Sequence, residues 1–171
     1  TTALMFDDVP VPVENVLGTI GEGHKVALNV LNIGRVKLGT RNIGGAKQAL
    51  NRAIRYAKER RQFGRSIASF QLVQELLAEI AVETDAARLL TWKAALAADA
   101  GTRHTLESSI AKYYASEAAV RSANAAVQVH GGYGYVDEFP VGKYLRDARV
   151  TTLYEGTSQI QKLIIGRQLE R

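Results

Sequence analysis

The chain has 171 residues, of which 46% are hydrophobic and 23% charged, with three prolines, no cysteine and a net charge of +5. This length suits one domain with a substantial core, and the composition is typical of a mainly helical protein. Without cysteine there can be no disulfide, thiol nucleophile or thiolate metal site. The apolar windows are too short for a transmembrane helix, and three scattered histidines give no metal-site spacing, so we expect no metal.

The first 20 residues differ from the rest of the chain. Pro10 and Pro12 alternate with valines, a pattern typical of extended chain or an edge strand. We therefore expect residues 1–20 to be the tail of a preceding β domain and residues 21–171 to form a helical domain.

Three long helical patterns follow, from about Gly23 to Arg61, Ser69 to Ala100 and His104 to His130. Each has an apolar stripe at helical spacing. The stripes are Ala46, Ala49, Leu50, Ala53, Ile54 and Ala57 in the first, Leu72, Leu76, Ile80, Ala87 and Leu90 in the second, and Ile110, Tyr114, Ala118, Ala125 and Val129 in the third. Four glycines weaken the first helix, so we expect other groups to approach closely there. They are Gly34, Gly39, Gly44 and Gly45.

A short helix around 141–149 and a final helix from Thr157 complete the pattern. Ser158 and Gln161 have the spacing of a capping box, and Thr157 is a further N-cap candidate. The final helix has one apolar face, formed by Ile160, Leu163 and Ile164. Long alanine-rich helices joined by short turns predict an all-α, antiparallel four-helix-type bundle.

Two charged residues stand out from this helical background. Glu155 precedes Gly156 at the positive end of the last helix. It can be a surface acid that favours the helix dipole, or a general base. Arg35, in the middle of the first helix, can be a salt-bridged side chain or can position a carboxylate.

Two segments could contact phosphate. ERRQFGRSIASFQ, residues 59–71, combines arginines suited to phosphate with the flat ring of Phe63, although it can also be a basic helix end. QVHGGYGY, residues 128–135, follows a helix rather than a strand, so it is not a dinucleotide-binding fingerprint. It is either a helix stop or a surface where backbone amides approach a phosphate.

These segments and LRDARVTTLYEGT, residues 145–157, resemble in order and spacing the signatures of the C-terminal helical domain of the acyl-CoA dehydrogenases. FDDVPVPVENVLG, residues 6–18, resembles the exit from that family's middle β domain. The resemblance implies a flavoprotein of fatty acid β-oxidation, which oxidises acyl-CoA to trans-2-enoyl-CoA. A glutamate removes the α-proton, and the β-hydrogen leaves as hydride to FAD. Because the N-terminal and middle domains of the family are not in this sequence, we expect a fragment that is inactive alone.

The resemblance also assigns roles to residues. Glu155 is the base, Gly156 lies against the thioester, and Tyr154 lines the acyl pocket. Asn32 and Arg35 lie near the substrate. Two residues, Thr157 and Gln159, contact the FAD of the same subunit. The FAD of a neighbouring subunit is contacted by Arg60, Gln62, Phe63, Gln71, Gln128, Val129, His130, Gly131 and Gly132.

One position departs from part of the family. Some members carry their base immediately before the arginine that matches Arg35, whereas this chain has Gly34 there. Glycine cannot act as a base, which leaves Glu155 as the candidate.

The implied partners are an acyl-CoA substrate, electron-transferring flavoprotein as electron acceptor, and further copies of the chain in a dimer of dimers. Bacterial cytoplasm or mitochondrial matrix would suit such a protein, rather than secretion. The alternatives are an acyl-CoA oxidase or decarboxylating dehydrogenase of the same superfamily, and a non-enzymatic helical module that binds partners through its basic segment, residues 52–65. Few aromatic residues interleave with those arginines and no nucleic-acid motif is present, so we expect no nucleic-acid binding.

Overall fold

The computed structural model describes residues 2–170, and most of these residues are helical. The helices are α1 (Gly23–Glu59), α2 (Gln71–Asp99), α3 (Thr105–His130), α4 (Val141–Thr151) and α5 (Ser158–Leu169). Two short strands, β1 (Arg61–Gln62) and β2 (Arg65–Ser66), follow α1, and 3-10 turns occur at Val13–Asn15, Ile67–Ser69 and Gly131–Tyr135. The predicted all-α class is confirmed. Within residues 2–170, no helix has the length and apolar character needed to cross a bilayer.

The first four helices form an up-down-up-down bundle around α3, which contacts all the others. Asn32 of α1 lies beside Thr105 at one end of α3, and Tyr56 of α1 stacks on His130 at the other end. Helices α1 and α3 are therefore parallel. Helices α2 and α4 run in the opposite direction, which gives the predicted antiparallel arrangement of consecutive helices.

Small side chains allow α3 to pack against several neighbours at once. Of its 26 residues, 14 are buried, and 11 of these are alanine or serine. The main core cluster joins Ala53 and Ala57 of α1 to Ile80 of α2 and Ala126 of α3. The predicted stripes of α1 and α3 are buried or half-buried along these contacts.

The predicted inner face of α2 is wrong at one position. Leu72 is 76% exposed, whereas Val73 and Leu76 pack against the main core cluster with Ile80. The buried face passes through Val73, and Leu72 lies about 100° away from it around the helix axis.

The segment after α1 is a tight hairpin rather than an irregular loop. Strands β1 and β2 pair antiparallel, with Gln62 opposite Arg65. The two turn residues, Phe63 and Gly64, have φ values of 51° and 79°. Positive φ at both positions is what a type I′ hairpin turn requires, which favours glycine at the second of them.

The start of α5 differs from the predicted capping box. Thr157 is the N-cap residue, because its hydroxyl accepts a hydrogen bond from the Ile160 N–H at 3.3 Å. The Ser158 hydroxyl donates instead to Glu117 of α3, and the Gln161 amide donates to carbonyls of the preceding turn. The expectation of Ser158 as the cap of a reciprocal box is therefore wrong, since tertiary contacts use both side chains.

Apolar side chains are exposed near both ends of the described part of the chain. Residues 2–22 contain a 3-10 turn and no strand, and Leu4 and Phe6 there are 78% and 80% exposed. On the predicted apolar face of α5, Ile160 and Leu163 are 45% and 56% exposed. These apolar side chains are accessible for contacts with another domain or another chain.

The glycines of α1 differ in their surroundings. A Cβ atom at Gly39 would lie 2.8 Å from the Thr91 hydroxyl oxygen of α2, whereas nothing lies within 4 Å of a Cβ at Gly44 or Gly45. The expected close approach is therefore found at Gly39 and not at Gly44 or Gly45.

We expect Gly39→Ala to lower the free energy of unfolding by about 1–3 kcal/mol. Thr91 is β-branched and its hydroxyl donates to the Ala87 carbonyl at 2.8 Å, so it cannot turn away freely. Gly44→Ala, in the same helix, is the matched control and should raise the free energy of unfolding by up to about 1 kcal/mol. Urea unfolding measures both, and equal effects would contradict the packing argument.

Candidate active site

Glu155 stands on the turn between α4 and α5. Its φ is 54° and that of Gly156 is 89°, and a left-handed backbone costs a residue with a side chain about 1–2 kcal/mol. Hydrogen bonds from two helices hold the turn. Gln161 of α5 donates to the carbonyls of Glu155 and Gly156, each at 3.1 Å, and Lys112 of α3 donates to the Gly156 carbonyl at 2.8 Å.

The Glu155 carboxylate lies against the backbone of α1 at Gly34. A Cβ atom at Gly34 would lie 2.8 Å from Oε2 and 3.4 Å from Oε1, so a side chain at position 34 would displace the carboxylate. Oε2 is buried, and it accepts no hydrogen bond from the described residues. Buried polar atoms are normally paired, so an acceptor without a partner is unusual at this position.

Arg35, the next residue of α1, is 6% exposed. Its Nη1 donates to Asn32 Oδ1 at 2.9 Å, whereas its buried Nε has no partner within residues 2–170. Burial lowers the pKa of the guanidinium from its ordinary value, and the charge of Glu155 opposes that shift. The structure thus brings Asn32, Arg35 and Glu155 together, and one buried polar atom of Arg35 and one of Glu155 have no hydrogen-bond partner within residues 2–170.

Lys112 of α3 belongs to this site, although no motif in the sequence marks it. Its side chain is fully buried. Burial lowers its pKa to about 8, while the carboxylates of Glu155 and Glu117 raise it and Arg35 lowers it. The sequence carries one signal, a lone lysine among small residues at helical spacing. They are Ser108, Ser109, Ala115 and Ser116.

Lys112 should make the stability of the chain rise with pH. Between its folded pKa of about 8 and its ordinary value of 10.5, the unfolded chain keeps a proton that the folded chain has released. The free energy of unfolding therefore rises across this window by up to about 1.4 kcal/mol per pH unit, and the cost of the buried charge is fully present below it. Urea unfolding of the chain and of Lys112→Met, from pH 7 to pH 10, measures the effect. A constant difference between the two would contradict the shift.

Three further predicted residues surround the Glu155 turn. Tyr154 is 37% exposed, and its hydroxyl accepts a hydrogen bond from Arg41 Nη1 at 2.6 Å. Thr157 is half-buried as the cap of α5, and Gln159 is exposed in the first turn of that helix.

A second group of predicted residues lines a cleft at the other end of α1 and α3. The cleft has a volume of about 540 Å³. Its lining residues are Tyr56, Arg60, Gln62, Ile67, Gln128, Val129, His130, Gly131, Gly132, Tyr133 and Val136. They include seven of the nine residues to which the family resemblance gives contact with a neighbouring subunit's cofactor.

Aromatic rings and a guanidinium shape this cleft. His130 stacks on Tyr56 with ring centroids 4.3 Å apart, and its Nδ1 lies 2.8 Å from the Ala126 carbonyl oxygen. Burial lowers the pKa of His130, which keeps the imidazole neutral at neutral pH. The Arg60 guanidinium lies 5.5 Å from the centroid of the Tyr133 ring. The cleft therefore combines flat apolar surfaces with an exposed cation.

Two of these nine predicted residues, Phe63 and Gln71, lie outside the cleft. Phe63, at the tip of the hairpin, is 91% exposed and packs edge-on against Phe70 with ring centroids 6.1 Å apart. Gln71 is the exposed first residue of α2. Val129 borders the cleft but is 5% exposed and belongs to the main core cluster, so its side chain mainly supports the packing.

The Glu155 site and the cleft are separate sites. Arg35 of α1 and Arg60, which directly follows the last residue of α1, stand 25 positions apart, which corresponds to about 37 Å of helix. Within residues 2–170, no group of His, Asp or Glu side chains has the arrangement of a metal site.

Known proteins match this chain over nearly its whole length. Residues 21–170 match the family model described as acyl-CoA dehydrogenase, C-terminal domain. The mitochondrial short-chain specific acyl-CoA dehydrogenase of Rattus norvegicus is 44% identical over 171 residues, which are 100% of this chain and 42% of that protein. Subunit CarC of the caffeyl-CoA reductase-Etf complex of Acetobacterium woodii is 45% identical over 169 residues, which are 99% of this chain and 45% of that protein.

The fold agrees with the sequence matches. The structure of butyryl-CoA dehydrogenase from Megasphaera elsdenii superimposes with a TM-score of 0.95 and 42% identity, over 97% of this chain and 43% of that one. The chain therefore spans less than half the length of these relatives. Since sequence and bundle match together over residues 21–170, the chain belongs to the acyl-CoA dehydrogenase family, in which this bundle is the C-terminal domain.

Proposed function

We propose that this chain supplies the catalytic base of an FAD-dependent acyl-CoA dehydrogenase, which converts an acyl-CoA thioester into its trans-2-enoyl thioester. One observation carries the proposal. The Glu155 carboxylate is held on a left-handed turn, with a buried and unpartnered Oε2 beside Gly34 and near Arg35. A general base needs a fixed position, a free acceptor atom and partial removal from water.

In this reaction the Glu155 carboxylate takes the α-proton of the acyl chain. The electron pair of that C–H bond forms the new double bond, and the β-hydrogen leaves with its own electron pair. Bound FAD supplies the acceptor for this hydride. Arg35 attracts the carboxylate and so helps to hold it in position before the proton moves, after which Glu155 is neutral.

The cleft has the chemistry to hold a dinucleotide such as FAD. The Arg60 guanidinium suits a pyrophosphate, and the exposed amides of Gln62 and Gln128 can donate to polar groups. Gly131 and Gly132 leave their backbone accessible, since nothing lies within 4 Å of an added Cβ.

We infer that the cleft and the Glu155 site serve different FAD molecules. The roughly 37 Å of α1 between them supports this assignment. Thr157 and Gln159 would contact the FAD next to Glu155, and the cleft would contact the FAD of a neighbouring subunit. Phe63 and Gln71 are exposed and would reach that neighbour from outside the cleft.

FAD sites that are shared between subunits require an oligomer, and we propose a dimer of dimers. The exposed apolar residues of α5 and of residues 2–22 supply surface for contacts with other domains or copies. Electron-transferring flavoprotein is the proposed acceptor, because the relative CarC is named as a subunit of an Etf complex. The mitochondrial and bacterial relatives support the mitochondrial matrix or bacterial cytoplasm as location.

A second candidate is the reverse reaction, the reduction of a 2-enoyl thioester. The name of CarC as part of a caffeyl-CoA reductase complex favours it. In that direction the protonated Glu155 would return a proton to the α-carbon. An acyl-CoA oxidase is a third candidate. It differs in passing its electrons to oxygen rather than to electron-transferring flavoprotein.

The test uses the complete flavoenzyme that carries this domain, mixed anaerobically with butyryl-CoA. Bleaching of the flavin together with formation of the 2-enoyl thioester is the expected result, and reoxidation by electron-transferring flavoprotein rather than oxygen excludes the oxidase. Absence of bleaching with acyl-CoA thioesters of several lengths would contradict the proposal.

The 171-residue chain alone should retain little FAD after gel filtration, because its two sites lie apart, and it should not turn over substrate.

We expect Arg60→Ala in the complete enzyme to weaken FAD binding by about 10-fold or more, since a charge-assisted contact of this kind contributes roughly 1.5–3 kcal/mol. Flavin content after dialysis measures this loss. Arg55→Ala, at an exposed arginine in the last turns of α1, is the control and should keep its flavin. Equal flavin content in both variants would contradict the role of Arg60.

A further inference from the structure

Lys112 is unusual because burial of an ammonium group is unfavourable unless its charge and hydrogen bonds are compensated. Its side chain is 0% exposed. The charged groups around it come from three elements, with Glu117 on α3, Arg35 on α1 and Glu155 on the α4–α5 turn. The two carboxylates favour the charged lysine and Arg35 opposes it. Alanine and serine fill most other buried positions of α3, so packing alone does not call for a lysine here.

One hydrogen bond connects Lys112 to the turn that carries the base. Nζ donates to the Gly156 carbonyl at 2.8 Å, and the same carbonyl accepts a bond from Gln161 Nε2 at 3.1 Å. Local preference does not favour the left-handed backbone at Glu155. These two donors therefore help to determine where the backbone of the turn, and with it the carboxylate, lies.

We infer that Lys112 is a positioning residue whose buried ammonium group fixes the Gly156 carbonyl and thereby holds the Glu155 carboxylate where an α-proton is removed. The role rests on the proposed function of Glu155. The Ser158 hydroxyl, which donates to Glu117, ties the same segment to α3 a second time. Helix α3 thus holds this segment at Gly156 and again at Ser158.

The test compares four forms of the complete flavoenzyme, namely the unsubstituted enzyme, Lys112→Met, Glu155→Gln and the double variant. Methionine fills similar space but has neither charge nor donor. The rate of anaerobic flavin reduction by butyryl-CoA should fall by about 10- to 100-fold in Lys112→Met, because small displacements of a reacting group cost this much. FAD content should stay unchanged. Lys93→Met, at an exposed lysine of α2, is the control and should keep the full rate.

The double variant separates positioning from a general effect on the fold. If Lys112 acts through Glu155, its replacement should not lower the residual rate of Glu155→Gln any further. An equal loss in both backgrounds, or an unchanged rate in Lys112→Met, would overturn the inference. If the unsubstituted enzyme is not reduced by butyryl-CoA or by other acyl-CoA thioesters, the proposed function fails, and this inference fails with it.

Lys112→Gln provides a second variant if the methionine variant does not fold. Glutamine keeps an N–H donor on a shorter, uncharged side chain, so its rate of flavin reduction should lie between those of the unsubstituted enzyme and Glu155→Gln. A rate equal to that of the unsubstituted enzyme would overturn the role of the ammonium group.

Discussion

Glu155→Gln should lower turnover of acyl-CoA by the complete enzyme by roughly 100- to 10,000-fold, the usual contribution of a general base. Glutamine has nearly the same shape as glutamate but cannot take the α-proton. Because Glu155 makes no hydrogen bond through Oε2 within residues 2–170, the change should leave FAD content close to that of the unsubstituted enzyme. Steady-state turnover with an artificial electron acceptor measures the loss.

Glu79→Gln is the matched control, since Glu79 is an exposed carboxylate of α2. This variant should keep full activity. Near-normal turnover by Glu155→Gln with full flavin content would remove Glu155 from the role of base, and Arg35 would then be positioning some other group.

Moving the carboxylate from position 155 to position 34 should restore part of the lost activity. A side chain that starts at Gly34 points at the space now held by the Glu155 carboxylate, since its Cβ would lie 2.8 Å from Oε2. We expect Glu155→Gly to be nearly inactive and the double variant Gly34→Glu/Glu155→Gly to turn over at least about 10-fold faster, a fraction of the full contribution of a base.

The double variant Gly34→Gln/Glu155→Gly fills the same space without a carboxylate. It is the control and should show no recovery of activity. Gly34→Glu alone should also lose activity, because two carboxylates would compete for one space and repel each other. Failure of the double variant to exceed Glu155→Gly, with both holding FAD, would show that position 34 does not face the reacting carbon.

The helical part of the fold follows from patterns that are local in sequence. The stripe from Ala46 to Ala57 repeats with the helical period, and these residues are buried or half-buried. The sequence prediction is wrong at Leu72 because Leu72 and Val73 are adjacent and both apolar, and only packing against the rest of the bundle decides which of them faces inward.

The capping of α5 could be predicted only in part. Thr157 and Ser158 both fit the local rule for an N-cap. The choice between them is made by Glu117, which lies 41 positions earlier and accepts a hydrogen bond from Ser158. A contact between residues this far apart in the sequence leaves no local pattern.

The candidate site, too, could be predicted only in part from local sequence. The motif around Glu155 can be read in the sequence, and the weakness that Gly34 brings to a helix indicates that another group approaches there. That this group is the Glu155 carboxylate, and that Lys112 lies buried beneath the turn, depends on how α1, α3 and the turn meet. Lysine is ordinarily a surface residue, so the residue type alone predicts an exposed position rather than the buried one that Lys112 occupies.

The most direct measurement is a crystal structure of the complete enzyme with FAD and an acyl-CoA analogue that cannot lose its α-proton. We predict a Glu155 carboxylate oxygen about 3–3.5 Å from the α-carbon, the distance of a reactive approach, with Gly34 beside it. A different side chain at that carbon, with Glu155 turned away from the analogue, would contradict the central claim that Glu155 is the base.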